Sequence, residues 1–451
     1  MIRFNAFAMN AVGHQSPGMW RHPDDQTSRY SELEFWTDLA KLLERGLFDG
    51  IFLADVLGVY DTYGGSADAP LRAGAQVPIN DPLLLVPAMA AVTEHLGFGV
   101  TVNTSSEHPY VFARRMSTLD HLTRGRVGWN LVTGYLPSAS RNLGAELREH
   151  DERYDHAEEY LAVTRKLWEQ SWEDDAAVRD VARGVFTDPS KVHPIEHRGR
   201  WFDVPGIHLA EPSPQRTPVI YQAGASARGT VFAGRHAEVV YAGGGTVSQV
   251  AETVRRFRAA LVEAGRQPED ALVYTKVTVV TAPSAAEARD KHRAMLEHAD
   301  VEGALALVSG WIGTDLSRYD LDDPVEVLEG NAMQTYARSF TGTREDGRPW
   351  TVRDLAKHAA IGGLGGVLVG SAEEVADYCV DVTEATGVDG FNLSTGVTPG
   401  TFADVIDLVV PILQERGVYR TSYEPGTLRH KLLGRGDRSR VPVAPSQPVS
   451  V

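Results

Sequence analysis

Short apolar runs with β character recur along the chain, and most lead into an amphipathic stretch that stops at glycine. The first run covers 3–9. It is followed by Leu33, Trp36, Leu39, Ala40 and Leu43 on one helical face, with Ser31 and Glu34 as a capping-box pair and Gly46 as the stop. A second strand, 50–56, runs into a polar, Gly-rich insertion. Asp81 and Pro82 then open a helix in which Pro87 predicts a kink or a late start. Strands at 97–104 and 126–133 flank a helix over 110–122, and 151–172 has helical period. Later strands are expected at 218–223, 238–242, 272–280 and 390–394. The pairs Thr246/Gln249, Ser284/Glu287 and Ser371/Glu374 mark helix starts between them, and a last helix covers 401–416.

Strand, capped helix, glycine, strand, repeated this often, predicts a parallel sheet with helical crossovers. About eight strands and the chain length fit an α/β fold of the closed (β/α)8 TIM-barrel type, with insertions near 57–80, 174–214 and 300–360. An open doubly wound sheet would normally carry G-x-G-x-x-G after its first strand, where this chain has AMNAVGHQ. The barrel is expected over 1–433. The basic, then Pro-rich stretch 434–451 reads as a flexible tail.

Composition narrows the function. The 451 residues include 60 acidic and 44 basic ones, for a net charge of −16, which argues against a nucleic-acid surface. Cys379 is the only cysteine, so no intrachain disulfide or Cys-rich zinc site can form. No apolar run approaches the roughly 18 residues of a membrane span, and the first residues lack a charged start before an apolar core. A cytoplasmic protein is expected, with no membrane and no nucleic-acid partner.

In a barrel of this kind, chemistry sits where strands end. Those ends bring Asn10 and His14, Asp55 and Tyr60, Thr101 and Asn103, then Asn130, Thr133 and Tyr135. Gly224 and Ser226, Gly243 to Gly245, and Asn392 with Ser394 complete the set. It is neutral and polar with one carboxylate. No H-x-H pair, acidic cluster or strand-ending lysine favours a metal hydrolase or a Schiff-base enzyme, and no metal site is expected. In QAGASARG, a helix N-terminus, the Ser226 hydroxyl and Arg228 suit a phosphate monoester, although a plain glycine turn with a serine cap fits the same residues. His150 and Tyr154 share one helix face, which a solvated helix end would also explain.

The stretches NAFAMNAVGH, MWRHP, FLADVLGVYDTY, VPINDPLLL, EHPYVFARRMSTLDHLTRGRVGWNLVT, EHDERYDHAEEYL, EPSPQRTPVIYQAGAS and DGFNLSTGVTPGTFADVIDLVVPILQERGVYR are long and collinear. They resemble the bacterial-luciferase-like flavin monooxygenases, in the branch of nitrilotriacetate, dibenzothiophene-sulfone and long-chain alkane monooxygenases, and most of all the last. The resemblance implies a luciferase-like barrel with FMN at the strand ends. It implies reduced FMN supplied by diffusion from a separate NAD(P)H-dependent flavin reductase, O2 as co-substrate, and a small organic substrate. It places flavin contacts at Asp55, Thr101, Gly134, Tyr135, His150, Tyr154 and Ser226, with Thr133 beside the ring. Asn103, Asn130, Gly224 and Ala225 complete the expected cofactor set. His14, Tyr60 and Gln76 match pocket positions and are expected to serve catalysis or substrate orientation.

Three departures fall on the substrate side. Ala11 stands where the alkane enzyme has a cysteine, Gly134-Tyr135 replaces Ser-His, and EGALALVSG lacks the expected pocket histidine. Rival readings are a riboflavin-cleaving monooxygenase, a deazaflavin-dependent dehydrogenase and a flavin-binding protein without turnover. A homodimer or homotetramer is expected.

Overall fold

The computed structural model describes residues 1–224, 226–325 and 347–441. Eleven strands are β1 Arg3–Met9, β2 Gly50–Ala54, β3 Gly97–Asn103, β4 Val127–Val132, β5 His197–Arg198, β6 Asp203–Val204, β7 Val219–Gln222, β8 Val239–Ala242, β9 Leu272–Ala282, β10 Val367–Ser371 and β11 Gly390–Ser394. The main sheet runs β10-β9-β11-β1-β2-β3-β4-β7-β8, and a β8–β9 pairing closes it into a parallel barrel. The (β/α)8 expectation therefore holds. β9 is long enough to serve three neighbours. Its first half pairs with β8 and β11, and its second half, from Thr278, pairs with β10. The short β10 was not anticipated.

Side chains alternate across each strand, so one face packs against helices and the other fills the barrel. Phe7, Phe52, Tyr241 and Tyr221 form a nearly parallel stack inside it, with successive centroids 5.0, 4.4 and 5.5 Å apart. Trp129 points the other way. It is fully buried against Phe112 and Tyr160, and its Nε1 donates to Val102 O at 3.0 Å. Its flat surface belongs to the outer core.

The capping boxes at Thr246, Ser284 and Ser371 all form. Ser31 and Glu34 do not form one; the helix Leu33–Arg45 starts on Glu32 without a side-chain cap. Pro87 has its expected effect, because a short 3-10 turn Pro82–Leu84 precedes the helix Val86–Ala91. The insertion 174–214 contains the β5–β6 pair, and 300–360 contributes the helices Val301–Ile312 and Val352–Ala359, with 326–346 outside the described residues.

The floor of the barrel is closed by chain that follows the last long helix. Ile2 N donates to Val418 O, Tyr419 Oη donates to the carbonyls of Gly46 and Leu47, and the helix Leu428–Leu433 seats Leu428 and Leu432 against Tyr221, Tyr241 and Tyr274. Residues 434–441 do not stand free either: Arg435 pairs with Asp270 and Arg438 with Asp174. Residues 442–451 lie outside the described set. No described helix is long and apolar enough to cross a membrane.

Candidate functional site

A cleft of about 1000 Å³ opens at the carboxyl ends of the strands, above the aromatic stack. The expected site residues converge on it: His14, Tyr60 and Gln76; Asp55, Thr101 and Asn103; Asn130, Thr133, Gly134 and Tyr135; His150, Tyr154, Gly224 and Ser226. Ala225 is outside the described residues. The cleft has two differently built ends.

At the first end, β3, β4 and β7 present hydrogen-bonding groups. Asn130 Nδ2 donates to Thr101 Oγ1 at 3.0 Å, while Asn130 Oδ1 and Gln222 Oε1 are buried acceptors without a partner. Gly134 has φ +71°, and a side chain there would strike the Asn103 amide, so the chain reaches Tyr135 only through glycine. Arg153 clamps the Gly134 carbonyl. Ser226 caps the helix Ala227–His236, its Oγ accepting from Gly229 N at 3.0 Å. The Tyr154 ring lies 5.3 Å from that of His150, and any side chain at Gly224 would collide with the Tyr154 hydroxyl and Gln222. The backbone is thus kept bare beside a helix N-terminus. Arg228 does not face the cleft freely: it pairs with Asp155 at 2.7 Å.

The second end is lined by buried, titratable groups. The Tyr60 and Tyr135 hydroxyls are 2.7 Å apart, and Trp311 Nε1 donates to Tyr60 Oη at 3.3 Å. Burial raises both phenols, so they act as neutral hydrogen-bonding groups. A second apolar cluster surrounds them, including Leu136, Val308, Trp311 and Leu355, and separates this end from solvent. Gln76 holds φ +55°, a costly conformation for a non-glycine residue, and its Nε2 donates to His14 O at 2.8 Å. Burial, and then the charge of Lys276, lower the His14 imidazole to about 3; its Nδ1 is buried without a partner. His14 is therefore neutral at ordinary pH. Burial, and then Asp81, raise the Asp55 carboxyl to about 7, where it can hold or release a proton near neutrality.

Lys276 also lines this cleft, and sequence reasoning passed over it. It sits mid-strand in β9, two residues above Tyr274 on the same face. The available signal was a lone lysine inside an otherwise apolar strand, VYTKVTVV. No group of His, Cys, Asp or Glu suited to a metal occurs among the described residues.

Comparison with known proteins agrees with this architecture. The luciferase-like monooxygenase family model matches residues 12–390. The chain is 51% identical to a dimethyl-sulfide monooxygenase of Hyphomicrobium sulfonivorans, covering 97% of this chain and 91% of that protein. It is 48% identical to a long-chain alkane monooxygenase of Geobacillus thermodenitrificans strain NG80-2, over 97% and 95%. Among solved structures, a riboflavin lyase with modified FMN and riboflavin superposes with a TM-score of 0.91 at 38% identity, over 98% and 97%. The chain belongs to the luciferase-like monooxygenase family, and the relatives it matches are named as monooxygenases.

Proposed function

We propose that this family member is the oxygenase component of a two-component system, using reduced FMN and O2 to oxygenate a small organic molecule. The observation that carries the reading is the convergence of the expected site residues on one cleft large enough for a flavin and a small substrate. The residues fit the group. Ser226 and the bare backbone at Gly224 would take the phosphate. The unpartnered Asn130 and Gln222 oxygens are acceptors for a ring that carries an N–H donor, and Thr101, Asn103, Thr133 and Gly134 surround the same space. His150 and Tyr154 would lie along the chain between ring and phosphate. FMN, rather than a deazaflavin, is favoured by the likeness to a structure that holds modified FMN. When bound, the reduced flavin supplies the electrons that activate O2 and deliver one of its atoms to substrate.

The chain supplies position and dryness. The Tyr60–Tyr135–Trp311 chain fixes one wall, and the apolar cluster behind it keeps water from the reacting centre. Neutral His14 offers a ring nitrogen to orient substrate, and Gln76 fixes the loop that carries it. Asp55, poised near neutrality, is the group suited to hold or pass a proton beside the flavin. A separate NAD(P)H-dependent flavin reductase would deliver the reduced cofactor, since β1 leads into AMNAVGHQ and not a glycine-rich dinucleotide loop. A cytoplasmic location and a homodimer or homotetramer remain part of the reading.

The test is turnover with FMN, NADH, a flavin reductase and candidate substrates, with and without O2. Substrate loss is expected only with O2; loss that persists without it would overturn the oxygenase reading. Ser226→Ala should weaken FMN binding more than riboflavin binding, and equal weakening would move the phosphate elsewhere.

A further inference from the structure

Lys276 is a cation placed where a barrel normally puts an apolar side chain. It stands on the interior face of β9, and its neighbours in that strand, Tyr274 and Val277, belong to the core. Among the described residues its Nζ donates to the carbonyl of Gly362 and forms no salt bridge. An ammonium carries three donors, and one carbonyl satisfies one of them. The remaining donors face the cleft, where the chain keeps its own side chains away. Gly365 stands directly beside the amine, and a Cβ there would come within 3.2 Å of Nζ. Leu364 and Trp311 line the cleft around it, and His14 is close enough to feel its charge.

A half-buried cation without an anion is costly, and leucine or methionine would fill this position without that cost. What would complete it is a negative group brought by a ligand. Its surroundings place it at the His14 end, away from Ser226, so the ligand concerned is the substrate. This step rests on the division of the cleft given under Proposed function.

We infer that Lys276 is a specificity-determining residue that receives the acidic head of a small organic substrate, a carboxylate, sulfonate or sulfinate, whose apolar body lies against Trp311 and Leu364. The substrate is then an organic anion, and the hydroxyl-lined wall at Tyr60 and Tyr135 faces the part that is oxygenated. Burial lowers the free amine to about 7. The titratable groups that face it, His14 and His358, are lowered first by burial and also by its charge, and neither can neutralise it. An anion would raise the amine again, so binding above neutrality must take up a proton.

Calorimetric titration of the full chain, with and without FMN, tests this using pentanoate and pentane-1-sulfonate against pentan-1-ol. Both anions should bind about tenfold or more tightly than the alcohol. Lys276→Met should erase that preference, and Lys276→Arg, which keeps the charge, should retain most of it. Titration at pH 8 in buffers of different ionisation enthalpy should show proton uptake with the wild type and none with Lys276→Met. Equal binding of alcohol and anions overturns the inference. So does a Lys276→Met chain that binds the anions as the wild type does, or one whose only defect is in binding FMN. Because no turnover is measured, a failure of the oxygenase reading would appear in the O2 experiment and leave this one untouched.

Discussion

The two ends of the barrel treat charge in opposite ways. At the floor, the buried carboxylates are matched by arginines. Burial alone would raise the Asp49 and Glu238 carboxyls, but Arg3 and Arg420 hold Asp49 low, and Arg429 does the same for Glu238. Arg429 grips both Glu238 oxygens at 2.6 and 2.9 Å, with both side chains almost wholly buried. Arg126 is handled differently, donating to the carbonyls of Ala90, Thr93, Leu96 and Thr123. At the mouth, Asp55, His14 and Lys276 are half-buried and have no oppositely charged partner among the described residues, and each is pushed toward its neutral form. Paired charges define the end that holds the fold together; unpaired ones define the end that waits for ligands.

The largest expected effect comes from breaking a floor pair. Arg429→Met leaves Glu238 as a buried charge without a partner and should cost about 3–5 kcal/mol, read as a fall in the thermal midpoint or loss of soluble protein. A neutral effect would mean that the pair contributes nothing and would erase the contrast. Lys276→Met should do the reverse and stabilise the chain, on the order of 2 kcal/mol at pH 7. The sign follows from a folded-state pKa lowered to about 7: from there up to the unfolded value near 10.5, the unfolded chain holds the extra proton. The gain should therefore be complete at pH 7 and below and fade as pH rises toward 10, measured by melts across that range. Asp55→Asn has the smallest effect and a different window. The raised carboxyl binds its proton more tightly when folded, so the wild type loses stability as pH climbs from about 4 to 7. The Asn variant should pull ahead across that interval by about 1–2 kcal/mol and hold its lead above it. An unchanged difference from pH 4 to 8 would contradict the raised carboxyl.

The fold was legible where its causes are local. Three capping boxes, the glycine stops and the alternation of strand and helix are written in a few adjacent residues, and they formed as expected. What escaped depends on closure of the ring. Whether Trp129 or Asn130 faces the barrel interior is a matter of parity along β4, and only pairing to β3 and β7 decides it. The same parity turns Lys276 inward, where a lysine in a strand would ordinarily read as solvent-facing. β10 and the helix Leu428–Leu433 are short and take their stability from distant partners, the second half of β9 and the aromatic stack. The residues of the Ser226 end of the cleft were legible because long motifs carry them to the strand ends. At the His14 end, His14, Tyr60 and Gln76 were legible but Lys276 and the raised Asp55 carboxyl were not, because their character comes from burial that no local pattern reports.

The Arg429–Glu238 grip also has a consequence for how the molecule is made. Its partners are 191 residues apart in the chain. At translation rates of about 5–20 residues per second, Glu238 emerges roughly 10–40 s before the arginine that neutralises it has been made. During that interval the residue just before β8 carries a carboxylate whose partner has not been made. The ring itself cannot close before β11 has been made, so the grip forms among the last contacts, after every strand of the barrel is available.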